Sequence, residues 1–130
     1  MPKFGKSSMQ RRATCHPDLQ IILDEAIKHI DFTILDGHRT EEAQNKAFSE
    51  GKSQLRYPQS KHNSLPSGAF DIAPYPIDWN NLNRFYLLAG VVIGIARQKG
   101  VNIRWGGSWD NSLDITKNKF NDLVHFEFRK

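Results

Sequence analysis

The sequence contains a single cysteine, Cys15, among its 130 residues. One cysteine cannot form a disulfide within the chain, and a structural zinc site built from cysteines is also excluded. Long apolar runs are lacking as well. The longest, residues 86–96, has 11 residues, whereas a membrane-spanning helix needs about 20. We therefore expect a buried helix there and no stable membrane insertion.

The basic residues 1–12 are not followed by an apolar segment. Secretory signal peptides carry such a segment behind their basic start. We therefore expect no signal peptide, and a protein that is made and kept in a cytoplasm unless something else releases it.

The chain does have enough apolar material for one core. Hydrophobic residues make up 38% of it and aromatic residues 11%, which excludes intrinsic disorder as the main state. The length suits one compact domain. We expect residues 1–130 to form that single domain, with residues 1–15 as a loose basic N-terminal segment.

Eighteen basic and 14 acidic side chains leave a net charge of +4. A positive balance favours an anionic partner such as nucleic acid, anionic lipid or bacterial wall polymer, or it serves only solubility. The basic residues form no concentrated stripe, and no aromatic RNA-binding signature is present. We therefore expect no nucleic-acid partner.

Hydrophobic spacing and capping residues predict the secondary structure. Helices are expected at residues 17–30, from Thr40 to Gly51, and at 81–99; strands are expected at 32–35, 69–73, 101–105 and 123–128. A long polar loop, residues 52–68, separates the first half from the second. These elements predict an α+β fold with a small, mostly antiparallel sheet and helices packed on one side.

One acidic residue lies inside an otherwise apolar strand. Asp71 stands between Phe70 and Ile72, and a carboxylate there is costly to bury unless it is paired. A metal ion, an arginine or backbone amides could each be the partner. His62, nine positions earlier in the polar loop, is one candidate for a second ligand.

The last predicted strand carries a second histidine. Alternation would put Leu123, His125 and Glu127 on one face and direct Val124, Phe126 and Phe128 to the core. Asp122 would reach the cavity of His125 through strand twist or a bulge.

Two histidines and one carboxylate form a ligand set suited to catalytic zinc, with a fourth position left for water. Asp122 is then the candidate to move that water's proton, and Glu127 could hold an imidazole N–H.

Several short motifs resemble one known family. Ser60-x-His62, Ala69-x-Asp71 and Asp122-x-x-His125-Phe126-Glu127 resemble the zinc site of the D-alanyl-D-alanine-type metallopeptidases. The segments 36–40 and 105–109 resemble two further motifs of that family, and the matches follow the family's order from about residue 36 to 127. The stretch 60–76 is most similar to the phage endolysin branch, the L-alanyl-D-glutamate peptidases.

The resemblance implies a hedgehog/D,D-peptidase-like fold and a role for each matching residue. His62, Asp71 and His125 would bind one Zn²⁺ ion, and Asp122 would be the general base. Arg39 would stabilise the oxyanion and contact substrate, because a guanidinium offers fixed donors to a developing negative charge. Ser60 would orient the loop or hydrogen-bond the substrate.

Three positions depart from the family pattern. Eight residues separate His62 from Asp71, where carboxypeptidase relatives usually have six, so the loop should be longer. Ser108 replaces an aspartate, so the contacts of that acid are expected to be weaker or to be made by Asp110. Asp36 stands where serine is common, which leaves the contacts of that turn open.

The function implied is hydrolysis of the L-alanyl-D-glutamate bond in peptidoglycan stem peptides, which lyses the bacterial host. Such an enzyme would act as a monomer, with no separate wall-binding domain. It would remain in the host cytoplasm until a holin opens the membrane. The alternatives are a D,D- or L,D-carboxypeptidase of wall remodelling, and a non-catalytic module that binds cell wall or nucleic acid.

Overall fold

The computed structural model describes residues 2–129, and this part of the chain forms four α-helices and four β-strands. In chain order they are α1 (Lys6–Ala13), α2 (Pro17–Ala26), β1 (Phe32–Asp36), α3 (Glu41–Ser49), β2 (Ala69–Pro74), α4 (Leu82–Lys99), β3 (Ile103–Gly106) and β4 (Asp122–Phe128). Two short 3₁₀ turns, Lys61–Asn63 and Ile115–Lys117, lie in the connecting segments. None of the helices described has the length and apolar character needed to cross a membrane.

The four strands form one antiparallel sheet in the order β1-β2-β4-β3. The predicted α+β fold with an antiparallel sheet is therefore confirmed. One face of the sheet packs against α4, which in turn packs against α2. Phe70 and Phe126 lie at the centre of this core, and their stacked rings are 5.3 Å apart. Since side chains alternate along a strand, Asp71 and His125 face away from the core.

The first helix corrects the expectation of a loose segment at residues 1–15. Residues 6–13 form α1, which lies against the outer edge of β1. Ser8 Oγ accepts a hydrogen bond from the backbone N–H of Ile34 at 3.0 Å, and Arg11 donates to the carbonyl of the same residue at 2.9 Å. Cys15 is buried in the core at 1% exposure. The basic composition gave no sign of this packing, because α1 binds a strand edge through polar groups.

The other boundaries follow the predictions closely. Thr40 caps α3 by accepting a hydrogen bond from Ala43 N–H at 3.2 Å, and Gly100 ends α4 with a φ of 73°. The second helix stops at Ala26 and not at residue 30, because the next turns are tighter: Lys28 and His29 donate to carbonyls three residues back.

Candidate active site and metal centre

A bulge in β4 places the side chains of Asp122 and His125 in one cleft. Trp105 pairs with Phe126, but the next residue of β3, Gly106, pairs with Asp122. The extra length in β4 breaks the alternation, so Asp122, Val124 and His125 all line the cleft while Leu123 packs against the core. The prediction for Leu123 and Val124 was therefore wrong, because strict alternation assumes a regular strand.

Gly106 is required where the strands approach each other at this bulge. A Cβ on Gly106 would collide with the backbone carbonyl of Asp122. The glycine therefore allows β3 to stay close to β4 at the point where Asp122 turns into the cleft.

Three side chains from different parts of the chain meet on the open face of the sheet. His62 Nε2 lies 3.1 Å from Asp71 Oδ1 and 3.2 Å from His125 Nδ1. The third side of this triangle, from His125 Nδ1 to Asp71 Oδ1, measures 3.0 Å. The sheet register accounts for part of this arrangement, since Asp71 and His125 are direct cross-strand partners. These three residues could hold a metal ion.

Each imidazole is held through its other nitrogen. His62 Nδ1 lies 2.7 Å from the carbonyl of Gly37, and His125 Nε2 lies 2.8 Å from Glu127 Oε1. Both partners are acceptors, so each of these ring nitrogens carries the proton when the ring is neutral. The remaining nitrogens then direct lone pairs at the same point as Asp71 Oδ1. Three converging acceptors without a proton among them need a cation.

The ionisation of the cluster agrees with this need for positive charge. Burial alone would raise the pKa of Asp71, but the charges and hydrogen bonds of His62 and His125 hold it well below its usual range. Burial would lower the pKa of His125, whereas hydrogen bonds to Asp71 and Glu127 raise it to about 10. The two carboxylates thus favour a positive charge between them, which a proton or a metal ion can supply.

Glu127 is itself fixed on its far side by Arg104. Arg104 Nε donates to Glu127 Oε2 at 3.0 Å, and the guanidinium of Arg104 lies over the ring of Trp109, 5.3 Å from its centre. The Trp109 ring is also tilted against the ring of His125 at 5.5 Å. His125 is therefore held by both a hydrogen bond and packing.

Asp122 lies beside the triad in a half-buried position. Burial, followed by the negative charge of Asp71, raises the pKa of its carboxyl group. A carboxylate with a raised pKa is a better proton acceptor than an ordinary aspartate. Asp122 is therefore a candidate for proton transfer in this cleft.

Arg39 borders the same cleft and is held by three acceptors. Its Nε donates to Asp36 Oδ2 at 2.8 Å, its Nη1 to Gln44 Oε1 at 3.0 Å, and its Nη2 to Asp71 Oδ2 at 3.4 Å. Asp36, the residue that departs from the family pattern, thus pairs directly with Arg39.

Ser60 takes part in the structure of the loop. Its hydroxyl accepts a hydrogen bond from His62 N–H at 3.2 Å, and its own N–H donates to Asn63 Oδ1 at 3.0 Å. This capping box starts the 3₁₀ turn that presents His62. Ser60 also lines the cleft.

Gln44 is a buried polar residue that the sequence analysis did not identify. It is 0% exposed, and its Nε2 donates to Leu55 O at 2.6 Å and to Ser53 Oγ at 3.0 Å. Its Oε1 accepts from Arg39 and from Asn63 Nδ2. No local pattern marks this position, since its neighbours Ala43 and Asn45 are both exposed.

Ser108, the second residue that departs from the family pattern, is buried in a turn. Its Oγ donates to Asp110 Oδ1 at 3.3 Å and accepts from Leu113 N–H at 2.9 Å. Asp110 therefore lies next to Ser108, whose expected acidic role it was predicted to take over.

The cleft above the triad has a volume of about 1080 Å³ and is bounded by α3, the 52–62 loop and the ends of β4. Ala43, Lys46 and Ala47 of α3 form one wall, while Trp79, Trp109 and Phe120 contribute aromatic surface.

Comparisons with known proteins agree on one family. The family model for phage L-alanyl-D-glutamate peptidases matches residues 1–128. The L-alanyl-D-glutamate peptidase of Escherichia phage T5 is 35% identical over 117 residues, which cover 86% of this chain and 85% of that protein. The crystal structure of the L-Ala D-Glu endopeptidase ChiX from Serratia marcescens superposes with a TM-score of 0.76 at 26% identity, covering 97% of this chain and 89% of ChiX.

Proposed function

Because this chain belongs to the phage L-alanyl-D-glutamate peptidase family, we propose that it is a zinc peptidase of the endolysin type. Its substrate is peptidoglycan, and the bond it hydrolyses joins L-alanine to D-glutamate in the stem peptide. The observation that carries this proposal is the convergence of His62, Asp71 and His125 within 3.2 Å of one another.

The donor set supports zinc as the metal. Tetrahedral ligands about 2.0–2.1 Å from zinc lie about 3.3 Å apart, and the three donor atoms are separated by 3.0–3.2 Å. Two imidazoles and one carboxylate also suit zinc better than magnesium or calcium, which prefer oxygen ligands. Zinc held by these three residues would supply Lewis acidity and would lower the pKa of a water molecule to about 7.

Asp122 and Arg39 perform the remaining chemistry. The carboxylate of Asp122 accepts the proton of the attacking water and delivers it to the nitrogen of the leaving D-glutamate. The guanidinium of Arg39 faces the negative charge that develops on the carbonyl oxygen of L-alanine. Asp36 and Gln44 hold that guanidinium in place before substrate binds, so little reorganisation is needed during the reaction.

Glu127 and the Gly37 carbonyl keep the two imidazoles in the tautomers that metal binding requires. Ser60 acts through the loop, since its hydroxyl caps the turn that carries His62.

The biological setting proposed is that of a phage lysis enzyme. In this setting the chain works as a monomeric catalytic domain, and its net charge of +4 supplies attraction to the anionic wall. It accumulates in the host cytoplasm and reaches the wall after a holin opens the membrane. The family membership supports this setting.

A product assay tests the activity. Purified protein incubated with peptidoglycan should release new amino ends without new reducing sugar ends. Release of reducing ends alone would refute a peptidase. Cleavage of a pentapeptide only at its terminal D-alanine would point instead to a carboxypeptidase.

A metal analysis tests the centre independently of activity. We expect about one zinc per chain in the wild type and loss of bound zinc in His125→Ala. Asp122→Asn should keep the zinc and lose the activity, because Asp122 acts on the proton and not on the metal. Retention of full zinc by His125→Ala would refute the ligand set.

A further inference from the structure

A second pocket adjoins the cleft. It has a volume of about 720 Å³, and Ser60, Lys61 and Arg104 line both spaces. The two spaces therefore form one continuous surface.

The charged residues that line this second pocket are all basic. Lys61, Arg104 and Arg129 line it, and no aspartate or glutamate is among the described residues that line it. By contrast, five acidic residues line the main cleft: Asp36, Glu50, Asp71, Asp122 and Glu127. A concave surface bounded by one sign of charge attracts the opposite charge.

The basic side chains of this pocket have hydrogen-bond donors that no other described residue uses. Arg104 uses its Nε and Nη2 to bind Glu127, which leaves its Nη1 free of hydrogen bonds within the described residues. Lys61 and Arg129 form no ion pair within residues 2–129, yet the backbone of each is anchored. The Lys61 carbonyl accepts from Gly68 N–H at 3.0 Å, and the Arg129 N–H donates to Asn102 O at 2.9 Å.

The sheet register places this pocket on one defined side of the triad. Asp71 pairs with His125 and Ala69 pairs with Glu127, so the pocket lies beyond the end of β4 that carries Phe128. Arg129 follows His125 by four residues, or about 13 Å along a strand. The long arginine side chain can span part of this distance and approach a substrate bound at the triad.

The two sides of the scissile bond differ in charge. L-Alanine, on the carbonyl side, carries a methyl group, whereas D-glutamate, on the amine side, has two carboxyl groups. Only one of the two continues the peptide, so the other remains available as a carboxylate beside the reacting nitrogen.

We propose that the pocket lined by Lys61, Arg104 and Arg129 is a carboxylate-binding subsite for the D-glutamate side of the substrate. This inference rests on the proposed peptidase function and adds the direction of binding. The amine side of the peptide lies towards Arg129, and the L-alanine side lies towards the opposite end of β4, near Asp122 and Phe120.

Three short peptides test the subsite. The first is N-acetyl-L-Ala-γ-D-Glu-L-Ala-amide, with a free glutamyl α-carboxylate. The second carries an α-carboxamide in that place. The third also carries the α-carboxamide but ends in a free L-alanine carboxylate. The wild type should cleave the first with a kcat/KM about tenfold above the second, the size of one partly exposed charge-assisted contact.

The third peptide identifies the source of the carboxylate. A rate close to that of the second supports the glutamyl carboxylate. A rate close to that of the first supports the subsite and assigns it to the carboxylate of the following residue.

Variants separate recognition from structural damage. The double variant Lys61→Gln/Arg129→Gln should reduce the ratio between the first two peptides to about one. Lys61→Arg should preserve the ratio, since the charge is kept. Lys99→Gln, which removes an exposed cation from α4 on the other side of the sheet, is the matched control and should also preserve it. Damage to the fold would slow both peptides equally and leave the ratio unchanged.

The outcomes distinguish two failures. Equal cleavage of all three peptides by the wild type, or a ratio that survives in the double variant, would overturn the subsite and leave the peptidase function standing. Cleavage of neither the peptides nor peptidoglycan would refute the proposed function, and the subsite with it.

Discussion

Replacing Gln44 by leucine tests whether buried polar contacts hold the guanidinium of Arg39 in place. The substitution nearly conserves volume but removes hydrogen bonds to four groups: Leu55 O, Ser53 Oγ, Arg39 Nη1 and Asn63 Nδ2. Because Gln44 is fully buried, some of these groups lose their partner without gaining water. An unsatisfied buried group costs about 1–3 kcal/mol, and greater burial of apolar surface offsets part of the total.

We expect Gln44→Leu to lower the free energy of unfolding by about 2–4 kcal/mol. For a chain of this length that corresponds to a fall in Tm of roughly 10 °C. The kcat on peptidoglycan should fall by about tenfold at a temperature where the variant is folded, since Arg39 keeps Asp36 as a partner but loses Gln44. Zinc content should stay unchanged, because the triad is not altered.

Urea unfolding, a zinc assay and kinetics measure these three quantities. Gln98→Leu is the matched control, since Gln98 is exposed on α4, and it should change stability by less than about 0.5 kcal/mol. If Gln44→Leu were as stable and as active as Gln98→Leu, the reasoning about this network would be wrong.

Three further predictions concern single groups. The Cys15 thiol should not react with a thiol reagent at pH 8 until the protein unfolds, because burial, with a smaller effect of Asp36, raises its pKa to about 11. Because of this raised pKa, the thiol stays protonated in the folded protein, whereas the unfolded chain releases the proton above the ordinary pKa of 9.0. The free energy of unfolding should therefore fall by at most about 3 kcal/mol between pH 9 and 11. Cys15→Ala should not show this loss. Since burial and then the negative charge of Asp71 raise the pKa of Asp122, we expect its carboxyl group to titrate above the range of an ordinary aspartate in the metal-free protein. An NMR titration of chelated protein that placed it in the usual range would contradict this. Gly106→Ala should displace the β4 bulge because its Cβ would meet the Asp122 backbone, so activity should fall while α4 and the core remain folded by circular dichroism; unchanged activity would show that the close approach is not needed.

Much of the architecture could be predicted from local patterns. The apolar periodicity of α2 and α4, the Thr40 cap and Gly100 each depend on neighbours in sequence, and the structure bears them out. The first helix could not be predicted in this way. Its contacts are polar and its partner is the backbone of Ile34, so the hydrophobic pattern carries no trace of them.

Some features of the candidate site could likewise be predicted from the sequence, and others could not. The order of the short motifs predicted that His62, Asp71 and His125 meet, and they do; their role as zinc ligands stays a prediction. The support of Arg39 by Gln44 could not be predicted, because it depends on how the chain up to Leu55 folds around the buried amide. The prediction of the sheet faces on which Leu123 and Val124 lie was wrong, because a bulge depends on the partner strand and no local pattern specifies it.

The position of β4 makes the candidate site depend on assembly of the whole sheet. Residues 122–128 follow the other three strands in the chain, yet β4 is an inner strand that pairs with both β2 and β3. Until β4 inserts, nothing joins β3 to β2, and neither Asp122 nor His125 can lie beside Asp71. We therefore expect fragments truncated before residue 122 to lack both the continuous sheet and the complete candidate metal centre.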